Sequence, residues 1–177
     1  TTLIYLKNLS HRYPTIRAAL GKIAQLNSVL TLPKGTIHIV SDVHGEFKKL
    51  KHIINNASGS LRPLVEKIFG SELAEAERLQ LLNLIYYPRE TFAHATKELA
   101  TDGERHSFVR RVLTLQFRIL RELARGYATK KLELLLPEEY RVLFRELLFE
   151  SLLARSPAFI DALLAPFLKQ GEDLELL

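Results

Sequence analysis

Between residues 36 and 47 the hydrophobic period changes, and that change constrains the fold more than any other feature of the sequence. Thr36, Ile37, His38, Ile39, Val40 and Ser41 form a short run rich in β-branched residues, bounded by Pro33-Lys34-Gly35 and by Gly45. Such a run reads as a strand. On both sides the apolar residues recur at helical spacing instead. Upstream, Ile16, Ala19, Leu20, Ile23, Leu26 and Leu30 mark a helix over residues 14–32, opened by Pro14. Downstream, Phe47, Leu50, Ile53 and Ile54 share one face of a helix over residues 47–57. Further helices are expected over 61–69, 71–86, 88–100, 104–127, 137–155 and 156–170. Ser71 and Ser156 suit N-caps, and Pro88, Pro137 and Pro157 suit first turns. Residues 172–177 are expected to begin a second strand. The expectation is therefore an α/β chain, mostly helical, with one or two strands.

The composition, 47% hydrophobic and 25% charged, is that of a globular chain with a core. No apolar run approaches the length of a bilayer span, and Lys7, His11 and Arg12 interrupt anything resembling a signal peptide. A cytoplasmic protein without membrane association is expected. The absence of cysteine excludes disulfides, thiolate zinc sites and cysteine nucleophiles. A net charge of +5 suits small anionic substrates as well as nucleic acid, and does not choose between them. There is no methionine, where ordinary usage gives about four in this length. The sequence is accordingly expected either to be trimmed or to lack residues recorded under another name.

Chemistry becomes legible at Asp42-Val43-His44-Gly45. In an extended chain, residues i and i+2 project to the same side, so Asp42 and His44 are expected to point together from the end of the strand. A carboxylate oxygen beside an imidazole nitrogen suits a borderline divalent ion such as Mn, Fe or Zn. Gly45 permits a tight turn at that point. With four aspartates and six histidines, Asp-x-His arises by chance in roughly one such chain in seven. Requiring glycine next makes the pattern far rarer. The competing reading is that Asp42 caps the following helix and His44 is an ordinary loop residue. His38 shares the strand parity of Asp42 and His44, but a plain core or surface histidine is the simpler reading. His52, on the helix that Phe47 opens, is expected to be exposed, and His94 and His106 have no partner at ligand spacing.

Ser41-Asp42-Val43-His44-Gly45-Glu46 resembles the first metal motif of the calcineurin-like metallophosphoesterases. Leu32-Pro33-Lys34-Gly35-Thr36, Asn55-Asn56-Ala57-Ser58-Gly59 and Leu84-Ile85-Tyr86-Tyr87-Pro88-Arg89-Glu90 narrow this to a resemblance with bacterial class III fructose-1,6-bisphosphatases. Leu135-Leu136-Pro137-Glu138-Glu139-Tyr140 and Glu146-Leu147-Leu148-Phe149-Glu150 fit the same family. The resemblance implies a calcineurin-like α/β fold and a two-metal, Mn-dependent phosphatase. Its expected reaction converts fructose 1,6-bisphosphate to fructose 6-phosphate in gluconeogenesis, and its partner is a small sugar phosphate. Asp42 and His44 would be ligands to one ion; no catalytic or substrate-binding residue is assigned. Residues 1–60 would hold the first helices and the metal-motif strand, residues 61–171 a helical insertion, and residues 172–177 the start of the next strand. The family's Gly-Asp-x-x-Asp-Arg-Gly and Gly-Asn-His-Glu segments do not occur. The resemblance thus implies a chain that stops before the second metal motif and is inactive alone.

Two rival readings stand beside the enzyme. One is a non-catalytic helical interaction or regulatory module, in which Asp42 and His44 are incidental. The stripes Leu143, Phe144, Leu147, Leu148, Leu152, Leu153 and Phe159, Ile160, Leu163, Leu164, Phe167, Leu168 are expected to be mostly core. Some of these are expected to face another subunit, as in a homo-oligomer, or further polypeptide. The other is a nucleic-acid binder using Arg111, Arg118 and Arg125, spaced by seven. A solvated face with local partners, such as Glu122 for Arg118, is the simpler account of those arginines.

Overall fold

The computed structural model describes residues 2–33, 37, 39–56, 59–149 and 156–177. Eleven helices follow one another among them: α1 (Thr2–Arg12), α2 (Ile16–Leu30), α3 (Phe47–Asn55), α4 (Leu61–Phe69), α5 (Glu75–Tyr86), α6 (Pro88–Ala95), α7 (Asp102–Ala124), α8 (Thr129–Leu135), α9 (Arg141–Phe149), α10 (Pro157–Lys169) and α11 (Asp173–Leu176). No described helix is long and apolar enough to cross a membrane.

The 23-residue α7 is the spine. Its start is set by a reciprocal pair of hydrogen bonds. The Glu104 N–H donates to Thr101 Oγ1 (3.2 Å), and the Thr101 N–H donates to Glu104 Oε2 (3.0 Å). This satisfies two groups that a helix N-terminus otherwise leaves unpaired, while Asp102 and Glu104 put negative charge at the positive end of the helix dipole. Two faces of α7 then enter two clusters. Val109, Leu113 and Phe117, four residues apart, meet Leu143, Leu147 and Leu148 of α9, Ile160, Leu164 and Leu168 of α10, and Leu176 of α11. Val112 and Ile119, rotated away from that face, meet Val65 and Phe69 of α4, Leu73, and Leu81, Leu82 and Leu84 of α5. The stripes expected to be core on α9 and α10 thus supply six buried side chains, with Phe144, Phe159, Leu163 and Phe167 packed around them. Leu152 and Leu153 lie outside the described residues.

The α/β expectation is corrected: the described residues contain helices and no strand. Ile37 and residues 39–41 adopt no regular secondary structure, and Ile37 and Ile39 are 85% and 91% exposed. The cause is pairing rather than propensity. A strand leaves its N–H and C=O groups unpaired unless a neighbouring strand accepts them, and none of the described residues offers one. Thr36 and His38 lie outside the described residues. The second strand expected at 172–177 is also overturned. Asp173–Leu176 form the short helix α11, packed on α6 and α7, with Leu176 buried.

Helix boundaries shift in smaller ways. The segment before Pro14 is itself helical, as α1. Helix α5 begins at Glu75 rather than Ser71, and the Ala74 N–H donates to the Glu77 carboxylate at 3.1 Å. Helix α9 begins four residues after Pro137. Helix α8 was not anticipated, because the run around Leu132–Leu136 carries no clear period.

Candidate functional site

Asp42 and His44 sit in the turn that leads into α3. The His44 N–H donates to Asp42 Oδ1 at 3.3 Å, the local bond of an Asx turn. His44 has φ 46° and Gly45 φ 74°, so the chain turns through two successive left-handed residues. Histidine visits this region more readily than most residues, and glycine does so without strain. The Glu46 N–H closes the turn on the Val43 carbonyl at 2.8 Å. Asp42 does not cap α3. Glu46 occupies the N-cap position, and no side chain there accepts from the helix.

This backbone brings the two side chains together without the strand that sequence spacing had invoked. His44 Nε2 lies 2.9 Å from Asp42 Oδ2, and both side chains are open to solvent at 79% and 70%. At that separation the two side chains pair directly with one another, as an ion pair when His44 is protonated. Among the described residues no group of three or more His, Asp or Glu gathers there or elsewhere. Asp42 and His44 thus converge as a pair, with no third such side chain beside them among the described residues. His38 lies outside the described residues, and His94 and His106 sit far along the chain on α6 and α7.

Helix α3, which carries this turn, is moored by polar contacts rather than by a core. Asn55 Nδ2 donates to the Tyr86 carbonyl at 2.9 Å. Asn56 Nδ2 donates to His52 Nε2 at 3.0 Å, leaving His52 Nδ1 to meet the Tyr87 hydroxyl. Sequence reading treated His52 as simply exposed. Only the fold shows that it links α3 to the corner between α5 and α6.

The arginine stripe of α7 is locally opposed by carboxylates. Arg118 makes paired 2.6 Å bonds to Glu72, after α4, and lies over the Phe69 ring at 4.5 Å. Its expected partner had been Glu122, which instead takes Arg125 at 2.9 Å. Arg111 bonds Glu77 of α5. The Arg118 hydrogen bonds hold the Glu72 carboxyl below the ordinary carboxylate range, against a smaller opposing effect of burial. The Ala74 N–H, then Arg111, does the same for Glu77.

The chain matches the model of one protein family, described as Firmicute fructose-1,6-bisphosphatase, over residues 4–177. It is 35% identical over 162 residues to a fructose-1,6-bisphosphatase class 3 of Phocaeicola vulgatus, covering 91% of this chain and 24% of that protein. Proteins of the same description from Bacteroides fragilis and Clostridium acetobutylicum are 38% and 36% identical, each covering 84% of this chain and 22% of the relative. The chain thus spans about a quarter of the length of the curated relatives it matches. No solved structure matches it.

Proposed function

Since this chain belongs to the Firmicute fructose-1,6-bisphosphatase family, we propose that it is part of a metal-dependent phosphatase that converts fructose 1,6-bisphosphate to fructose 6-phosphate and phosphate. The match over nearly the whole chain carries this reading. The reaction would serve gluconeogenesis, in the cytoplasm.

Within the reading, Asp42 and His44, whose side chains converge in the turn, would hold one divalent ion. The donor set, one hard oxygen and one borderline nitrogen, is compatible with Mn. Such an ion supplies Lewis acidity: it lowers the pKa of a bound water and offsets negative charge on phosphoryl oxygens. The chain's own part is to hold the two donors in place, through the Asx turn at Asp42 and the left-handed pair His44–Gly45. The lysines 48, 49 and 51 on α3 add positive charge close to the turn, which favours the approach of an anionic sugar phosphate.

The test is made in the full-length protein. Asp42→Ala and His44→Ala are each expected to abolish Mn-dependent phosphate release and to weaken Mn binding measured directly by titration. Unchanged turnover in either variant refutes the assigned roles.

A further inference from the structure

Helices α1, α2 and α3 contain no buried residue, yet each carries large apolar side chains. Along α2, Ile16, Ala19, Ile23, Leu26 and Leu30 follow three- and four-residue steps, which align them on one side. Leu20 lies beside them, and all of the large members are exposed. Leu3, Ile4, Tyr5 and Leu6 on α1 and Phe47 and Ile54 on α3 are exposed as well. Helices of this length are marginal in water without a packing partner. A face of this extent marks an interaction surface.

Three observations bear on what covers it. The first is charge. No acidic residue precedes Asp42, and residues 1–56 hold eight lysines and arginines against two carboxylates, a net of +6. Residues 57–177 hold seventeen against eighteen, a net of −1. Apposing two copies of this face would bring like charges together, so an acidic counterpart fits better. The second is the Asp42–His44 pair on the same stretch, which lacks further donors among the described residues. On the metal reading proposed above, further donors must approach α3. The third is length: relatives are about four times longer, and the family match includes α1–α3 from residue 4 onward.

We propose that the exposed apolar side of α2, in this basic N-terminal stretch, is the docking surface for an acidic, apolar part of the polypeptide that full-length family members carry outside the stretch matched here. Only the second observation leans on the metal reading above; the docking itself stands on packing and charge. On this view α2 acquires its core from outside this chain, whereas α4–α11 form theirs from within.

Hydrogen exchange read by mass spectrometry tests this on two proteins: the 177-residue chain, and the full-length Phocaeicola vulgatus relative. Amides of α2 are expected to exchange roughly 100-fold or more faster in the chain than in the aligned segment of the full-length protein, while those of α7 exchange at similar rates in both. Equal protection of α2 in the two overturns the proposal. So does protection of α2 in the chain alone that grows with its concentration in step with a dimer seen by sedimentation, which assigns the face to a second copy. Protection that appears only on adding phosphatidylserine vesicles overturns it in favour of a lipid surface. None of these readouts depends on phosphate release, so failure of the Asp42 and His44 variants leaves this test intact.

Discussion

Replacing the same residue type, leucine by alanine, at Leu113 and at Leu30 tests where this chain keeps its stability. Leu113 is 1% exposed and sits between Val109 and Phe117 in the cluster that α7 shares with α9 and α10. Leu30 ends α2 and is 83% exposed. At Leu113 the substitution removes about three buried carbons, or about 2.4 kcal/mol at ~0.8 kcal/mol each. Incomplete collapse around the vacated space raises the cost to about 3–4 kcal/mol. At Leu30 no burial is lost, and the change should stay within about 0.5 kcal/mol. Urea unfolding followed by far-ultraviolet circular dichroism, with a shared slope, measures both. In thermal scans the Leu113 variant should melt about 6–16 °C lower. A cost below about 1 kcal/mol at Leu113, or an equal cost at the two sites, refutes the assignment of the core to α4–α11.

Two further perturbations probe buried and surface charge. Asp173 is 4% exposed, with Oδ2 3.2 Å from Arg105 Nε and Oδ1 lacking a hydrogen-bond partner among the described residues, so Arg105→Leu strands a buried carboxylate. A loss of about 3 kcal/mol is expected, at the low end for buried pairs because Arg105 is partly exposed. Adding Asp173→Asn should restore part of it, and no restoration in the double variant contradicts the pairing. Glu72, held below its ordinary pKa by Arg118, contributes stability that is present above the unfolded value of about 4.3 and is lost as pH falls through the folded one. Arg118→Gln should therefore flatten the fall in urea midpoint on acidification, and an unchanged acid profile would speak against the pair. The proposed function is tested by Asp42→Ala in the full-length protein, where loss of Mn-dependent phosphate release is the expected outcome.

The helices were legible wherever their determinants are local. Helix α4 falls on the residues that its spacing indicated, and the proline starts of α6 and α10 hold. The Asp42–His44 pair was also legible, although for a partly different reason. The i, i+2 spacing suggested convergence from a strand, while the convergence observed comes from an Asx turn and a left-handed histidine. Helix α8 escaped notice because Leu134 and Leu135 are both exposed, so the stretch has no single buried face to mark its period. The partners of Arg118 and His52 were hidden for another reason. Glu72 and Tyr87 are 46 and 35 residues away, and nothing within one helix turn announces them.

By itself the sequence determined the helical segments α2–α7, α9 and α10, the family stretch, and the placing of a carboxylate and an imidazole two residues apart at a glycine turn. These depend on spacing, caps and turn geometry, which act over a few residues. Tertiary structure decided the rest: residues 37 and 39–41 stand without a strand partner, residues 173–176 coil onto α7, and α1–α3 remain uncovered while α4–α11 close around two clusters. Each of those outcomes depends on whether a distant surface is present to accept hydrogen bonds or bury apolar area, and no local pattern of residues encodes that.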